Sequence, residues 1–140
     1  DDFGRIDILI NSANVEHSAG LLEMDEWDLH RVFEVNTIGT FLVIQSVARV
    51  MREQGGGLIV NLLGDMERDL PPAYAASRRA VAELTRRAAV ELSAHRIRVY
   101  GLGQGMEPEP TFASLEQAVL ALLSSETHPP GEIFGVRASN

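Results

Sequence analysis

Cysteine is missing from the 140-residue chain, and so is lysine. The first absence removes disulfides, thiol nucleophiles and thiolate metal sites. The second removes amine nucleophiles, Schiff bases and phosphate-loop lysines, because all 12 basic residues are arginine. No apolar run approaches the ~20 residues that cross a bilayer; the best, Phe41 to Val50, is interrupted by Gln45, Ser46 and Arg49. No basic stretch leads into an apolar one at the start, so no secretory signal is expected and a cytoplasmic location is the default. Positive charge is scarce as well. Twenty acidic residues give a formal net charge of -8 and a pI near 4.9, which repels phosphate backbones and argues against nucleic-acid binding. His17, His30, His95 and His128 show neither HxxxH nor HxxH spacing, so they are read as solvated surface positions and no metal site is expected.

What is present fits one globular domain over residues 1–140: 45% of the residues are hydrophobic and 23% charged. Four short apolar, mostly β-branched runs stand out: Ile6 to Asn11, Leu58 to Leu63, Ile97 to Leu102 and Glu132 to Val136. Runs of this kind suit strands buried on both faces of a parallel sheet. Segments of helical period lie between them, so the spacing predicts βαβ units with right-handed crossovers.

The first helical segment runs from about Asp25, a plausible N-cap, to Gln54, with a kink expected at Asn36, Thr37 and Gly39. Trp27 and Phe33 are read as core, and Gly55 to Gly57 as the stop. The second runs from near Tyr74, after Pro71 and Pro72, to about Ala94. Its expected apolar face is Ala76, Ala80, Leu84, Ala88 and Leu92, with a charge ladder of Arg79, Glu83, Arg87 and Glu91 on another. The third covers about Ser114 to Leu123, where Ser114 and Gln117 are spaced as a capping box.

Six segments, in order, resemble the short-chain dehydrogenase/reductase family. "FGRIDILINSAN" is similar to the strand ending in N-N-A-G, with Asn11, Ser12, Ala13 and Asn14 in those places. "WDLHRVFEVNTIGTF" resembles the helix that carries an active-site asparagine, here Asn36. "GGGLIVNLL" resembles the strand leading to the catalytic serine. "YAASRRAV" resembles Y-x-A-S-K-A-A-V, with Tyr74 as the catalytic tyrosine and Arg78 in place of lysine. "IRVYGLGQG" is similar to V-N-x-x-x-P-G, with Gln104 replacing proline and Gly105 retained, and "EQAVLALLSS" with "PPGEIFGV" resembles the last helix and strand.

The resemblance implies a Rossmann-like, three-layer α/β fold: the C-terminal part of a doubly wound parallel sheet, with four strands and three main helices. It implies NAD or NADP as cofactor and hydride transfer between nicotinamide and a small carbonyl or alcohol, with Tyr74, Asn36 and Arg78 as catalytic positions. Asn11, Ala13, Tyr74, Arg78 and Gly105 become the cofactor contacts. It also implies a homo-oligomer through the helices at about 25–54 and 74–94.

The departures imply the rest. The family's opening βαβ unit, whose T-G-x-x-x-G-x-G turn sets glycine backbone and a helix N-terminus against the pyrophosphate, has no counterpart in the 140 residues. No serine or threonine occurs from residue 62 to residue 73, so the hydroxyl that holds the substrate carbonyl is missing; Leu63 and Gly64 stand in its expected places. Arginine at 78 keeps the charge of lysine but not its point donor. The segment from Gly105 to Ser114 is short for a substrate lid. The expectation is therefore a member of this family that is inactive as given. A non-catalytic, oligomerising interaction module derived from the same family is the alternative. A phosphoacceptor receiver domain is rejected, since it needs a carboxylate pair at the first strand's end and a lysine late in the sheet.

Overall fold

The computed structural model describes residues 4–12, 14–66, 69–104, 112–124 and 128–137. Among them four strands, β1 (Ile8–Asn11), β2 (Gly57–Asp65), β3 (Ile97–Gln104) and β4 (Ile133–Gly135), form one parallel sheet in the order β1-β2-β3-β4. Helices α1 (Glu26–Phe33) and α2 (Thr40–Gln54) precede β2. Helix α3 (Pro72–Leu92) joins β2 to β3, and α4 (Leu115–Ser124) precedes β4. Alternation along the strands sorts the core into two layers. Ile59, Ile97 and Val99 pack under Ile44, Ala48, Met51, Ala88 and Ala89 of α2 and α3. Leu58, Val60, Tyr100 and Leu102 face Ala118 and Leu122 of α4, together with Phe112 and Phe134. Helix, sheet and helix make the three-layer arrangement expected from the sequence, with parallel strands joined by helices.

The helix ends follow local chemistry. Asp25 accepts a hydrogen bond from the Trp27 amide at 2.8 Å and so caps α1. Gly55, with φ 93°, provides the left-handed C-cap of α2. Pro72 sits in the first turn of α3, where a missing N–H costs nothing. At α4 half of the expected capping box forms, the Gln117 amide donating to Ser114 Oγ at 3.1 Å, while Gln117 Oε1 accepts at 2.8 Å from the Ala113 amide, one residue before the cap.

Several expectations are corrected. The kink between α1 and α2 is a π-helical segment, Glu34–Gly39, that keeps the helix continuous while widening one turn. The Ala76 to Leu92 stripe is only partly the buried face of α3: Ala88 is buried and Leu84 and Leu92 pack against the core, but Ala76 is exposed, and Ala73, Tyr74, Ser77, Arg78, Val81, Ala82, Thr85 and Ala89 complete the face. Steps of four residues advance about 40° beyond a full turn each time, so a pure i+4 series winds off any one face; alternating i+3 and i+4 steps stay on it. The charge ladder is broken too. Glu83 pairs with Arg87 at 2.7 Å and Arg86 at 3.6 Å, which holds its carboxyl below the usual carboxylate range, whereas Arg79 donates to the Met66 carbonyl.

Trp27 is not core but 67% exposed, with the Arg31 guanidinium 5.8 Å from its ring centre one turn along. Nor is every histidine solvated: His128 packs edge-on against Phe112 and Phe134, with ring centres 5.9 and 5.0 Å away. Strand β1 is half open rather than buried on both faces, leaving Ile8 39% and Ile10 44% exposed. Among the described residues it has β2 as its one sheet neighbour.

Candidate functional site

Tyr74, Arg78 and the end of β2 come together where the first turns of α3 cross the C-terminal side of the sheet. Pro71 and Pro72 start that helix abruptly, so Tyr74 falls in its first turn, on the buried face, with 4% of its surface exposed. Its hydroxyl accepts a hydrogen bond from Asn14 Nδ2 at 2.8 Å. Ser77, one turn on, donates through Oγ to the Tyr74 carbonyl at 2.7 Å, which fixes the helix start beneath the ring.

Strand β2 shifts register against β3 between Leu62 and Gly64. Gly64 has φ 69°, a left-handed conformation natural to glycine. A Cβ placed there would lie 3.8 Å from the Tyr74 hydroxyl oxygen, whereas Leu63 is fully buried. Position 64 is therefore the one that faces the tyrosine, and it carries no side chain.

Arg78 is buried and turned toward the strand. Its Nε donates to the Leu63 carbonyl at 3.1 Å and Nη2 donates to the Leu62 carbonyl. Burial pushes the guanidinium pKa down, with the neighbouring Tyr74 opposing that shift. The two carbonyls lie beside the register shift, where the regular ladder is interrupted, so Arg78 works as a strut between α3 and β2.

Asn36, in the π-helical segment, is fully buried and uses both ends of its amide. Oδ1 accepts from the Val15 amide at 2.7 Å, and Nδ2 donates to the Val15 carbonyl at 2.8 Å and to Ser77 Oγ at 3.0 Å. Thr37 Oγ1 adds a bond to the Ser77 carbonyl at 3.1 Å. Asn36 thus ties the loop after β1 to α3, reaching the residue next to Asn14 on one side and the residue three after Tyr74 on the other.

Asn11 lies apart from this group. Its Nδ2 donates to Asn61 Oδ1 at 2.8 Å, Asn61 Nδ2 donates to Thr85 Oγ1 at 2.9 Å, and Thr85 returns its proton to the Val81 carbonyl at 2.8 Å. Thr85 is roughly 16 Å along the helix axis from Tyr74, so this buried relay belongs to the sheet–helix interface. Ala13 and Gly105, the remaining expected cofactor contacts, lie outside the described residues.

Reasoning from sequence passed over Asn61, Thr85 and the bond from Asn14 to Tyr74. A signal existed for the first: Asn11 closes one apolar strand run and Asn61 is the polar residue inside the next, and they fall opposite one another in register. Among the described residues no cluster of three or more metal-ligating side chains occurs, and no helix is long and apolar enough to cross a membrane.

Comparison with known proteins agrees with this geometry. The short chain dehydrogenase family profile matches residues 1–118. The chain is 37% identical over 131 residues to 5-keto-D-gluconate 5-reductase of Escherichia coli K12, covering 90% of the chain and 52% of that enzyme. An acetoin dehydrogenase structure from Enterobacter cloacae superposes with a TM-score of 0.79 at 30% identity, covering 96% of the chain and 64% of the other. A structure of NAD+-bound xylitol dehydrogenase aligns at 36% identity and a TM-score of 0.69, over 77% of the chain and 44% of the other. The chain spans about half the length of the curated relatives it matches.

Proposed function

Because the chain belongs to the short-chain dehydrogenase family, we propose that its site handles the oxygen of a small carbonyl or alcohol substrate, with Tyr74 as the proton donor and acceptor. The observation that carries this reading is the Tyr74 hydroxyl, held at 2.8 Å by Asn14 beside the bare position 64. A phenol fixed there gives its proton to a carbonyl oxygen as negative charge builds on it, or takes one from an alcohol in the reverse direction. The relatives include enzymes named for a keto-gluconate, for a polyol and for a hydroxysteroid, which have in common a carbonyl or alcohol carbon as the reacting group.

The family's nicotinamide cofactor is the source or acceptor of the hydride. Two of the residues expected to hold it, Arg78 and Asn11, are engaged elsewhere. Arg78 is committed to two β2 carbonyls and only 3% exposed, and the Asn11 amide is engaged by Asn61. No glycine-rich pyrophosphate turn occurs in the sequence. We therefore propose that these 140 residues bind NAD(P) feebly and do not turn over substrate by themselves.

Calorimetric titration with NADH and NADPH tests this: no binding in the low-micromolar range is expected, and a low-micromolar Kd contradicts it. Fusing a glycine-rich βαβ unit of the family upstream of residue 1 should add both cofactor affinity and ketone reduction that Tyr74→Phe abolishes. Reduction unaffected by Tyr74→Phe would remove Tyr74 from the chemistry.

A second reading, an oligomerising module, draws on the helical face opposite the sheet. Phe41 is 49% exposed on α2 and, with Ile44, Ala48, Leu84 and Leu92, lines a cleft between α2 and α3 that Arg49, Arg52, Arg87 and Glu91 also line. With the half-open edge of β1, this apolar surface invites self-association. Light scattering is expected to give a mass above that of one chain; a well-folded monomer at high concentration would contradict it.

A further inference from the structure

We infer that Asn14 supplies the second hydrogen-bond donor to a substrate carbonyl oxygen, beside Tyr74, in the place the missing hydroxyl leaves open. The inference rests on the reading of the site as one for carbonyl or alcohol substrates, and it deepens that reading. Residues 62–73 contain no serine or threonine, and the position that faces the tyrosine is Gly64. A single donor would leave the developing oxyanion half satisfied, and removing one such donor typically costs about 10²–10³ in rate. The structure contains another candidate 2.8 Å from the Tyr74 hydroxyl, the amide nitrogen of Asn14.

The donor count supports the pairing. An amide nitrogen carries two protons. One is given to Tyr74, and among the described residues no acceptor takes the second. Tyr74 accepts that bond with a lone pair, which leaves its own O–H to give away. Two donor atoms 2.8 Å apart can both reach one oxygen at about 2.9 Å from each; the amide protons diverge by about 120°, so the proton now given to Tyr74 is then shared with that oxygen, about 30° off each line, and the second stays toward solvent.

The amide is also held in place. Asn36 clasps the N–H and C=O of Val15 at 2.7 and 2.8 Å, and Asn14 is the next residue. A donor fixed before substrate arrives needs no reorganisation when charge develops. Asn14 is exposed whereas Tyr74 is buried, so a ligand meets the amide on its way to the phenol.

The test is a titration of the ¹⁵N-labelled chain with cyclohexanone, a ketone without ionisable groups, which needs no cofactor. Both Asn14 side-chain N–H resonances are expected to shift saturably. Asn14→Asp, which keeps the shape but removes both donors, should weaken binding at least about tenfold, read from the Val15 backbone amide, and so should Tyr74→Phe. Asn14 is exposed and makes the one bond to Tyr74, so unchanged thermal unfolding of Asn14→Asp is expected alongside. Absence of a saturable shift, or binding by Asn14→Asp as tight as that of the parent, overturns the inference. The carbonyl reading fails on a different result, the lack of Tyr74-dependent reduction once a glycine-rich βαβ unit is supplied.

Discussion

Asn36→Leu is expected to lower the unfolding free energy by about 3 kcal/mol, the largest single-residue effect in the site region. The side chain is fully buried and makes three hydrogen bonds, two to the Val15 backbone and one to Ser77. Leucine has similar volume but strands those partners, and each buried group left without a partner costs about 1–3 kcal/mol. In a domain of this size the midpoint should fall by roughly 2–4 °C per kcal/mol, measurable by thermal or urea unfolding. Because the clasp fixes the residue beside Asn14, the Asn14 side-chain resonances should broaden or move as well. An unfolding midpoint within 1–2 °C of the parent, ~0.5 kcal/mol by the same scaling, would show that the loop after β1 is held by something else.

Arg78→Lys is expected to destabilise the fold by about 2 kcal/mol even though it restores the residue type the family carries. The guanidinium spans two carbonyls on adjacent residues, Leu62 and Leu63. An ammonium on a shorter reach cannot bridge both as a planar fork does, and it is more strongly hydrated, so burying it costs more. A lost bond from a charged group is worth about 1.5–3 kcal/mol. Denaturant unfolding checks the figure; a lysine variant as stable as the parent would mean that Arg78 is not the strut between α3 and β2.

The sheet was legible in the sequence because parallel strands joined by helices leave a plain mark, a short β-branched run with a helix-length gap to the next, even where, as in β1, one face stays half open. The alternation of strand and helix, the three main helices and their caps followed from that and from Asp25, Gly55 and Ser114. The buried face of α3 was found only in part because small residues at four-residue spacing look like a stripe, while the true face mixes apolar residues with Ser77, Arg78 and Thr85, polar groups satisfied by specific partners. Trp27 was misplaced for the opposite reason: its hydrophobicity marks a core residue, but its place in the first turn of α1 turns it to solvent beside Arg31.

In the site, Tyr74 and Arg78 could be located by motif, but not the direction of the Arg78 side chain, which depends on the Leu62 and Leu63 carbonyls at a register shift in β2. Nor could the sequence show that Asn14, at a motif position the family gives to glycine, reaches across 60 residues to the tyrosine hydroxyl. Contacts of that separation follow from packing, which local pattern does not encode.

The central claim is that these residues hold the oxygen-handling end of the site and, by themselves, neither hold nor use the nicotinamide. The most direct measurement is oxidation of excess NADPH, followed by its absorbance, over a panel of aldehydes and ketones with the parent chain, Arg78→Lys, and Arg78→Lys with Gly64→Ser. No turnover is expected from the parent or from Arg78→Lys, since an unheld cofactor forfeits an orientation term of up to about 7–11 kcal/mol that one lysine does not replace. Clear turnover by the parent or by Arg78→Lys alone would contradict it.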